Sequence, residues 1–212
     1  MRLVFLGPPG AGKGTMAGRV ATLFAISHIS TGEIFRSNIQ SGTALGRQVA
    51  ELIQKGKLVP DELTIELVRL RLAEPDVSDG YILDGFPRTI AQAEALETIS
   101  RPGTVVNFVV DDETTVRRLV GRRVHPASGR TYHVAFDPPK VTGKDDVTGE
   151  DLVQRPDDRE ESIRERLLVY RNQTAPLVAH YRDLGRLVNL DGSPAPDEVF
   201  ESLRGLLSSV RD

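Results

Sequence analysis

Gly7-Pro8-Pro9-Gly10-Ala11-Gly12-Lys13-Gly14-Thr15 constrains this chain more than any other stretch. It follows the apolar run Leu3–Leu6 and leads into Met16–Phe24, a segment with few helix breakers. The order is strand, glycine loop, helix. In such a loop the backbone N–H groups turn inward as a nest for anionic oxygens, and the positive end of the next helix adds to the field. Lys13 can reach outer phosphates, and the Thr15 hydroxyl can sit near a phosphate-bound Mg²⁺. Gly14 separates Lys13 from Thr15, where a hydroxyl residue usually follows the lysine directly.

Further β-like runs recur at Tyr81–Leu83, Val105–Val110 and Leu187–Leu190, alternating with helical segments. Asp61 after Pro60 reads as a helix cap, with Leu63, Leu67 and Leu70 on one face. Helices are also expected over Thr89–Ile99, Asp112–Val120 and Pro196–Val210, and over Glu160–Asp183 with a disturbance near Pro176. The alternation predicts an α/β fold with a parallel sheet covered by helices on both faces. Ser30–Val59 and Gly121–Asp158 break the pattern. The first holds four glycines and two short helical patches; the second is rich in turns, with short β-like pieces such as Arg130–Ala135. Loops of that length without structure of their own are unusual, so both read as inserted lobes. The expected division is a core of residues 1–29, 60–120 and 159–212, with lobes at 30–59 and 121–158.

The 212 residues carry a net charge of −3, which gives no reason to expect nucleic-acid binding. Positive charge comes mostly from arginine, since Lys13, Lys55, Lys57, Lys140 and Lys144 are the only lysines. Arginine grips phosphate through a planar fork and stays charged. With no cysteine, disulfides and thiolate metal sites are excluded. No run approaches the ~18 apolar residues of a membrane span, and the first apolar run is too short for a signal-peptide core. A cytoplasmic enzyme is the expectation.

Three more segments carry chemistry. Asp84-Gly85-Phe86-Pro87-Arg88-Thr89, with Gln92 a turn further on, begins at a strand end, where open α/β sheets place ligands. Asp84 can orient water on Mg²⁺, and Arg88 can clamp a phosphate. Ser30-Thr31-Gly32-Glu33-Ile34-Phe35-Arg36 is a polar loop that opens a helix and adds an arginine. Gly121-Arg122-Arg123-Val124 is continued by Arg155-Pro156-Asp157-Asp158 and Arg164-Glu165-Arg166. Phosphoryl transfer needs in-line positioning and charge neutralisation more than covalent help. An anionic acceptor needs no general base but does need cations between the two anions. Lys13, Arg36, Arg88, Arg122, Arg155 and Arg166 can supply them. Asp84 could instead serve as a base toward a hydroxyl acceptor; the arginine set favours a phosphate.

Gly7–Thr15, Ser30–Arg36, Gly56–Asp61, Leu83–Arg88 with Gln92, Gly121–His125, Tyr132–Lys140 and Asp145–Glu150 together resemble the adenylate kinase family, nearly end to end and in its long-lid form. The resemblance implies a three-layer P-loop α/β/α fold with a central parallel five-stranded sheet. It implies an AMP-binding lobe at 30–59 and a lid over ATP at 121–158. It implies reversible, Mg²⁺-dependent transfer from ATP to AMP, giving two ADP, by a monomer. Carried over by position, Gly10, Ala11, Gly12, Lys13, Gly14 and Thr15 hold the ATP phosphates, while Arg118, Arg122, Thr131, Tyr132 and the Pro194 backbone meet ATP. Thr31, Arg36, the backbone of Lys57, Leu58 and Val59, then Gly85, Phe86, Pro87, Arg88 and Gln92 hold AMP. Arg155 and Arg166 bridge both nucleotides. Lys13, Arg88, Arg122, Arg155 and Arg166 form the catalytic set, with Thr15 and Asp84 near Mg²⁺.

Some lids of this family bind zinc through four cysteines. Here those places hold His125, Ser128, Asp145 and Thr148, with both two-residue spacings intact. Serine and threonine are poor structural zinc ligands, so a hydrogen-bonded polar cluster without zinc is expected. Tyr132 and Phe136 are expected to pack inside the lid, with Tyr132 also near nucleotide. Arg164 is expected on a solvated, salt-bridged face, unlike Arg166. GTP as donor, or CMP or UMP as acceptor, remains the alternative within kinases. A P-loop switch protein is disfavoured, because no Asn-Lys-x-Asp guanine-reading segment occurs.

Overall fold

A computed structural model describes residues 1–209. Its centre is a five-stranded parallel sheet of β1 (Arg2–Leu6), β2 (Ser27–Ser30), β3 (Tyr81–Asp84), β4 (Thr104–Val109) and β7 (Leu187–Asp191), in the order β2-β3-β1-β4-β7. Strand alternation divides the core in two. Leu3, Phe5, Ile82, Val106 and Phe108 face a cluster with Met16, Val20, Val199, Leu203 and Leu207, contributed by α1 (Lys13–Phe24) and α9 (Pro196–Ser209). Val4, Leu6, Tyr81, Leu83 and Val105 face the other way, onto Val68, Ala93, Leu96, Leu177 and Tyr181. Those come from α4 (Asp61–Arg71), α5 (Ile90–Ser100) and α8 (Pro176–Asp183). The fold is therefore the expected three-layer α/β/α arrangement.

Four of the five strands match the apolar runs. Val110, read as strand, falls just past the end of β4. The fifth strand, β2, carries one apolar residue and is held in register by β3, with Ile29 opposite Leu83 and Ser30 opposite Asp84. In α4 the buried positions are Thr64 and Val68, whereas Leu70 is 54% exposed. Leu63 joins a separate cluster with Phe35, Val49 and Val59, and Leu67 packs against both that cluster and the sheet-side core. That cluster belongs to α2 (Thr31–Gln40) and α3 (Ala44–Gln54), the two helical patches of the 30–59 segment. Pro60 occupies the cap position of α4, and Asp61 is its first residue. The expected helix through Val210 is present as α9, and Val210 itself lies outside the described residues.

The 121–158 segment contains the antiparallel pair β5 (Arg122–Val124) and β6 (Thr131–His133), plus turns. It follows α6 (Asp112–Val120) and precedes α7 (Glu160–Val169). A π-helical stretch, Tyr170–Thr174, separates α7 from α8. This is the disturbance expected near Pro176, which begins α8.

Candidate active site

The carboxyl ends of β1, β3 and β4 meet where the strand order reverses, the usual ligand crevice of an open α/β sheet. A cleft of about 870 Å³ opens there. The glycine loop leaves β1 and enters α1 through Gly12, whose φ is 87°. No side chain caps α1, so its first-turn N–H groups are free of a cap side chain and point toward the loop. Lys13 folds back and donates to the carbonyls of Gly7 and Pro8, both at 2.8 Å. The unusual Gly14 has a local cause: a Cβ built there would lie 3.2 Å from Asp84 Oδ2. Asp84 ends β3 level with Phe5 on β1, so the carboxylate stands beside the loop.

Gly10 to Thr15, Asp84, Gly85, Pro87, Arg88, Arg36, Leu58, Arg118, Arg122, Thr131, Tyr132, Arg155, Arg166 and Pro194 all line this cleft. Thr31, Lys57, Val59, Phe86 and Gln92 do not line it. Phe86 is fully buried in the sheet core, and Val59 is packed in the small cluster of the 30–59 segment. The Thr31 hydroxyl donates to the Gly85 carbonyl at 2.9 Å. Gln92 is 2% exposed and sits behind the wall. Its Oε1 accepts the Arg88 N–H at 2.7 Å, and its Nε2 donates to Asp61 Oδ1 at 2.7 Å. Arg118 donates to the carbonyls of Gly192, Ser193 and Pro194, and so pins that loop to α6.

The cations are crowded. Burial, opposed by Asp84 and aided by the arginines nearby, lowers the Lys13 pKa to about 8. Burial and the Arg166 charge bring Arg88 down to about 10. Burial and the Arg122 charge bring Arg155 down to about 9. Arg36 and Arg166 are lowered too, again chiefly by burial. All remain charged at neutral pH. Burial pushes the Asp84 carboxyl up, but His28 and Lys13 outweigh it and keep its pKa below the usual range. His28 Nε2 lies 3.8 Å from Asp84 Oδ2, an electrostatic rather than hydrogen-bonding distance.

Two buried carboxylates outside the expected catalytic and nucleotide-binding residues, Asp157 and Asp158, organise this set. Asp158 takes a bidentate grip from Arg122, at 2.8 and 2.6 Å. Asp157 and Asp158 meet Arg166 Nη1 at 3.0 and 3.3 Å. Consecutive acids directly after Arg155-Pro156 were the available signal. Arg164, two residues from Arg166, is exposed and pairs with Glu160 instead.

In the 121–158 segment His125, Ser128, Asp145 and Thr148 do form a hydrogen-bonded cluster. His125 Nδ1 meets Ser128 Oγ at 2.7 Å, and Thr148 Oγ1 donates to Asp145 Oδ2 at 3.0 Å. Arg130 grips Asp145 through both oxygens, and Glu150 meets His125 Nε2 at 2.5 Å. Among the described residues no group of three or more His, Cys, Asp or Glu is placed to hold a metal. The Tyr132 hydroxyl donates to Asp145 Oδ1 at 3.0 Å. Phe136 departs from expectation: it is 66% exposed, stacked on His133 at 4.3 Å, and both rings line the cleft. Their polar-flanked, turn-rich segment is too thin to enclose a large ring.

No helix among the described residues is long and apolar enough to cross a membrane. The family model of adenylate kinase matches residues 5–186. An adenylate kinase of Moorella thermoacetica is 54% identical over 205 residues, covering 94% of this chain and 94% of that protein. The glycine loop, the strand-end aspartate and the arginines they face thus occur in a chain that belongs to the adenylate kinase family.

Proposed function

We propose that this enzyme transfers the terminal phosphoryl group of Mg-bound ATP to AMP, reversibly, to give two ADP. The observation that carries the reading is the crowding of Lys13, Arg36, Arg88, Arg155 and Arg166 in one cleft, each with a lowered pKa. Such an array is unfavourable until anions enter it, and one triphosphate held by the loop leaves the acceptor-side arginines unmatched. A second phosphate facing the first matches them.

On this reading the N–H groups of Gly10 to Thr15 and the Lys13 ammonium hold the donor phosphates. Arg36 and Arg88 hold the acceptor phosphate, and Arg122, Arg155 and Arg166 lie between the two. The acceptor oxygen is already anionic, so no base is required; bringing it in line and screening its charge is the chain's task. Arg118 fixes the loop that approaches the donor base. Thr15, exposed on the cleft, and the ionised Asp84 are oxygen groups of the kind that hold Mg²⁺ through water. The ion neutralises phosphate charge when bound.

Residues 1–29, 60–120 and 159–212 act as the core, 30–59 as the AMP lobe and 121–158 as the lid, turning near Gly121 and Asp158. Closing over both nucleotides keeps water from the donor. The role follows as adenine nucleotide balance by a cytoplasmic monomer without structural zinc. Steady-state transfer from ATP or GTP to AMP, CMP or UMP, with Mg²⁺ varied, tests the reading. ATP hydrolysis without transfer to AMP would refute it, and equal inter-lobe distances with and without a bisubstrate analogue would refute closure.

A further inference from the structure

Arg88 presents its guanidinium to the cleft while its peptide groups are held from behind. The N–H donates to Gln92, a turn away, and the C=O accepts from Thr174 Oγ1 at 2.9 Å. Thr174 lies 86 residues from Arg88 and is 7% exposed. Nothing in the constellation above accounts for it.

Thr174 reaches this place because the helix is wound wide before it. Ala175 N–H bonds to the Tyr170 carbonyl at 2.8 Å, closing a five-residue turn. Pro176 supplies the reason. It has no N–H to offer Asn172, and its ring would press on that carbonyl in a regular helix, so the turn ahead of it opens. The consequence is angular. In an unbroken α-helix the steps from Arg166 to Thr174 sweep about 800°, leaving Thr174 about 80° off the face of Arg166. A π turn absorbs one residue, so the sweep is about 700°, within about 20° of two full turns. Arg166 and Thr174 therefore share a face, and both line the cleft. Arg171, within the widened turn, pairs at the surface with Asp112 on α6.

We infer that Thr174 is a positioning residue for Arg88: the π turn brings its hydroxyl to the Arg88 carbonyl and fixes where the guanidinium meets the acceptor phosphate. This rests on the reading of Arg88 given above. With Gln92 on the N–H and Thr174 on the C=O, the backbone of Arg88 is tied to α5 and to the α7–α8 helix together.

The test compares Thr174→Val, isosteric without the hydroxyl, and Thr174→Ser, which keeps it, in the parent and in an Arg88→Met background. Thr174→Ala repeats the loss with less bulk should valine disturb folding. The readouts are kcat at saturating ATP and AMP, KM for each nucleotide, and Tm. Thr174→Val and Thr174→Ala should lower kcat about 10- to 100-fold, the scale of a small misplacement, with KM for ATP little changed. Thr174→Ser should recover to within about threefold. In the Arg88→Met background Thr174→Val should change kcat less than about twofold, because the group it positions is gone. An equal factor in both backgrounds, or a lower Tm with unchanged kcat, would overturn the inference alone. Unchanged kcat in Arg88→Met itself would overturn the reading of Arg88 and the inference with it.

Discussion

Replacing Arg88 by methionine should separate activity from stability. The Arg88 pKa falls more than two units below its ordinary value, to about 10, through burial first and the Arg166 charge second. At about 1.4 kcal/mol per pH unit, the folded chain carries about 3 kcal/mol of unfavourable charge there. The sign follows from linkage. The folded pKa lies below the unfolded one, so the penalty is complete below pH 10 and fades only as pH rises from 10 toward the ordinary arginine value. Methionine removes it at any assay pH. Against that gain stands one lost bond, Arg88 Nε–H to the Gly85 carbonyl at 2.7 Å. A charged hydrogen bond of this kind is worth about 1.5–3 kcal/mol. The backbone bonds to Gln92 and Thr174 survive the substitution. The balance is about 0–2 kcal/mol in favour of the variant, and at about 2–4 °C per kcal/mol its Tm should be unchanged or a few degrees higher. Turnover should fall about 10²–10³-fold, the usual loss when one preorganised donor to transition-state charge is removed. Calorimetry of the nucleotide-free protein beside coupled ADP-release kinetics makes the comparison. A Tm more than about 3 °C below the parent would refute the reasoning, because Arg88 would then be a structural residue.

Lys13→Met tests the same electrostatics along the pH axis. Lys13 titrates near pH 8 when folded and near 10.5 when unfolded, so parent stability should rise relative to the variant between pH 8 and 10, by up to about 1.4 kcal/mol per pH unit. Urea unfolding at both pH values reads this, and a constant gap would contradict it. Gly14→Ala places a Cβ beside Asp84 Oδ2; we expect a kcat loss of about tenfold and a higher Mg²⁺ requirement at unchanged Tm. A normal Mg²⁺ titration would detach Asp84 from the metal. Asp145→Asn breaks the Arg130 grip that holds the Asp145 carboxyl far below the usual carboxylate range. Its contribution is present above the ordinary carboxylate pKa and is lost only in strong acid. From pH 5 to 8 the variant should therefore show a constant rise in amide exchange across 121–158, and unchanged exchange there would refute the role.

What could be read in the sequence was local. The glycine loop, the Asp84 strand end and the helix starts are each specified by residues a few positions apart, so pattern and spacing reveal them. Strand β2 escaped because Ser27, His28 and Ser30 carry no strand pattern; its register comes from β3. Leu70 falls off the expected face of α4 because that helix serves two cores, Val68 toward the sheet, Leu63 toward the 30–59 cluster and Leu67 between them. The Thr174 contact to Arg88 and the Arg122 grip on Asp158 span 86 and 36 residues, beyond what any periodicity encodes; only the Asp158 contact to Arg166, eight residues on, lies within local reach. Phe136 was placed inside a segment that has too little core to hold it.

The charge distribution shows why such long-range contacts accumulate here. The chain as a whole carries −3. In the cleft, Lys13, Arg36, Arg88, Arg122, Arg155 and Arg166 face three sequestered carboxylates, Asp84, Asp157 and Asp158. Repulsion within that set must be restrained by the scaffold, and the restraints are directional hydrogen bonds rather than packing. Arg122 is tied to Asp158, Arg166 to Asp157, Arg88 to Gly85, and Lys13 to the loop carbonyls. Each tie aims a cation without cancelling the excess. On the proposed division Arg36 belongs to the AMP lobe, Arg122 and Arg155 to the lid, and Lys13, Arg88 and Arg166 to the core. Drawing the three parts together is then uphill until phosphates occupy the space between them. On the proposed function, the same imbalance that makes the folded chain less stable than it could be would also couple closure to the arrival of both substrates.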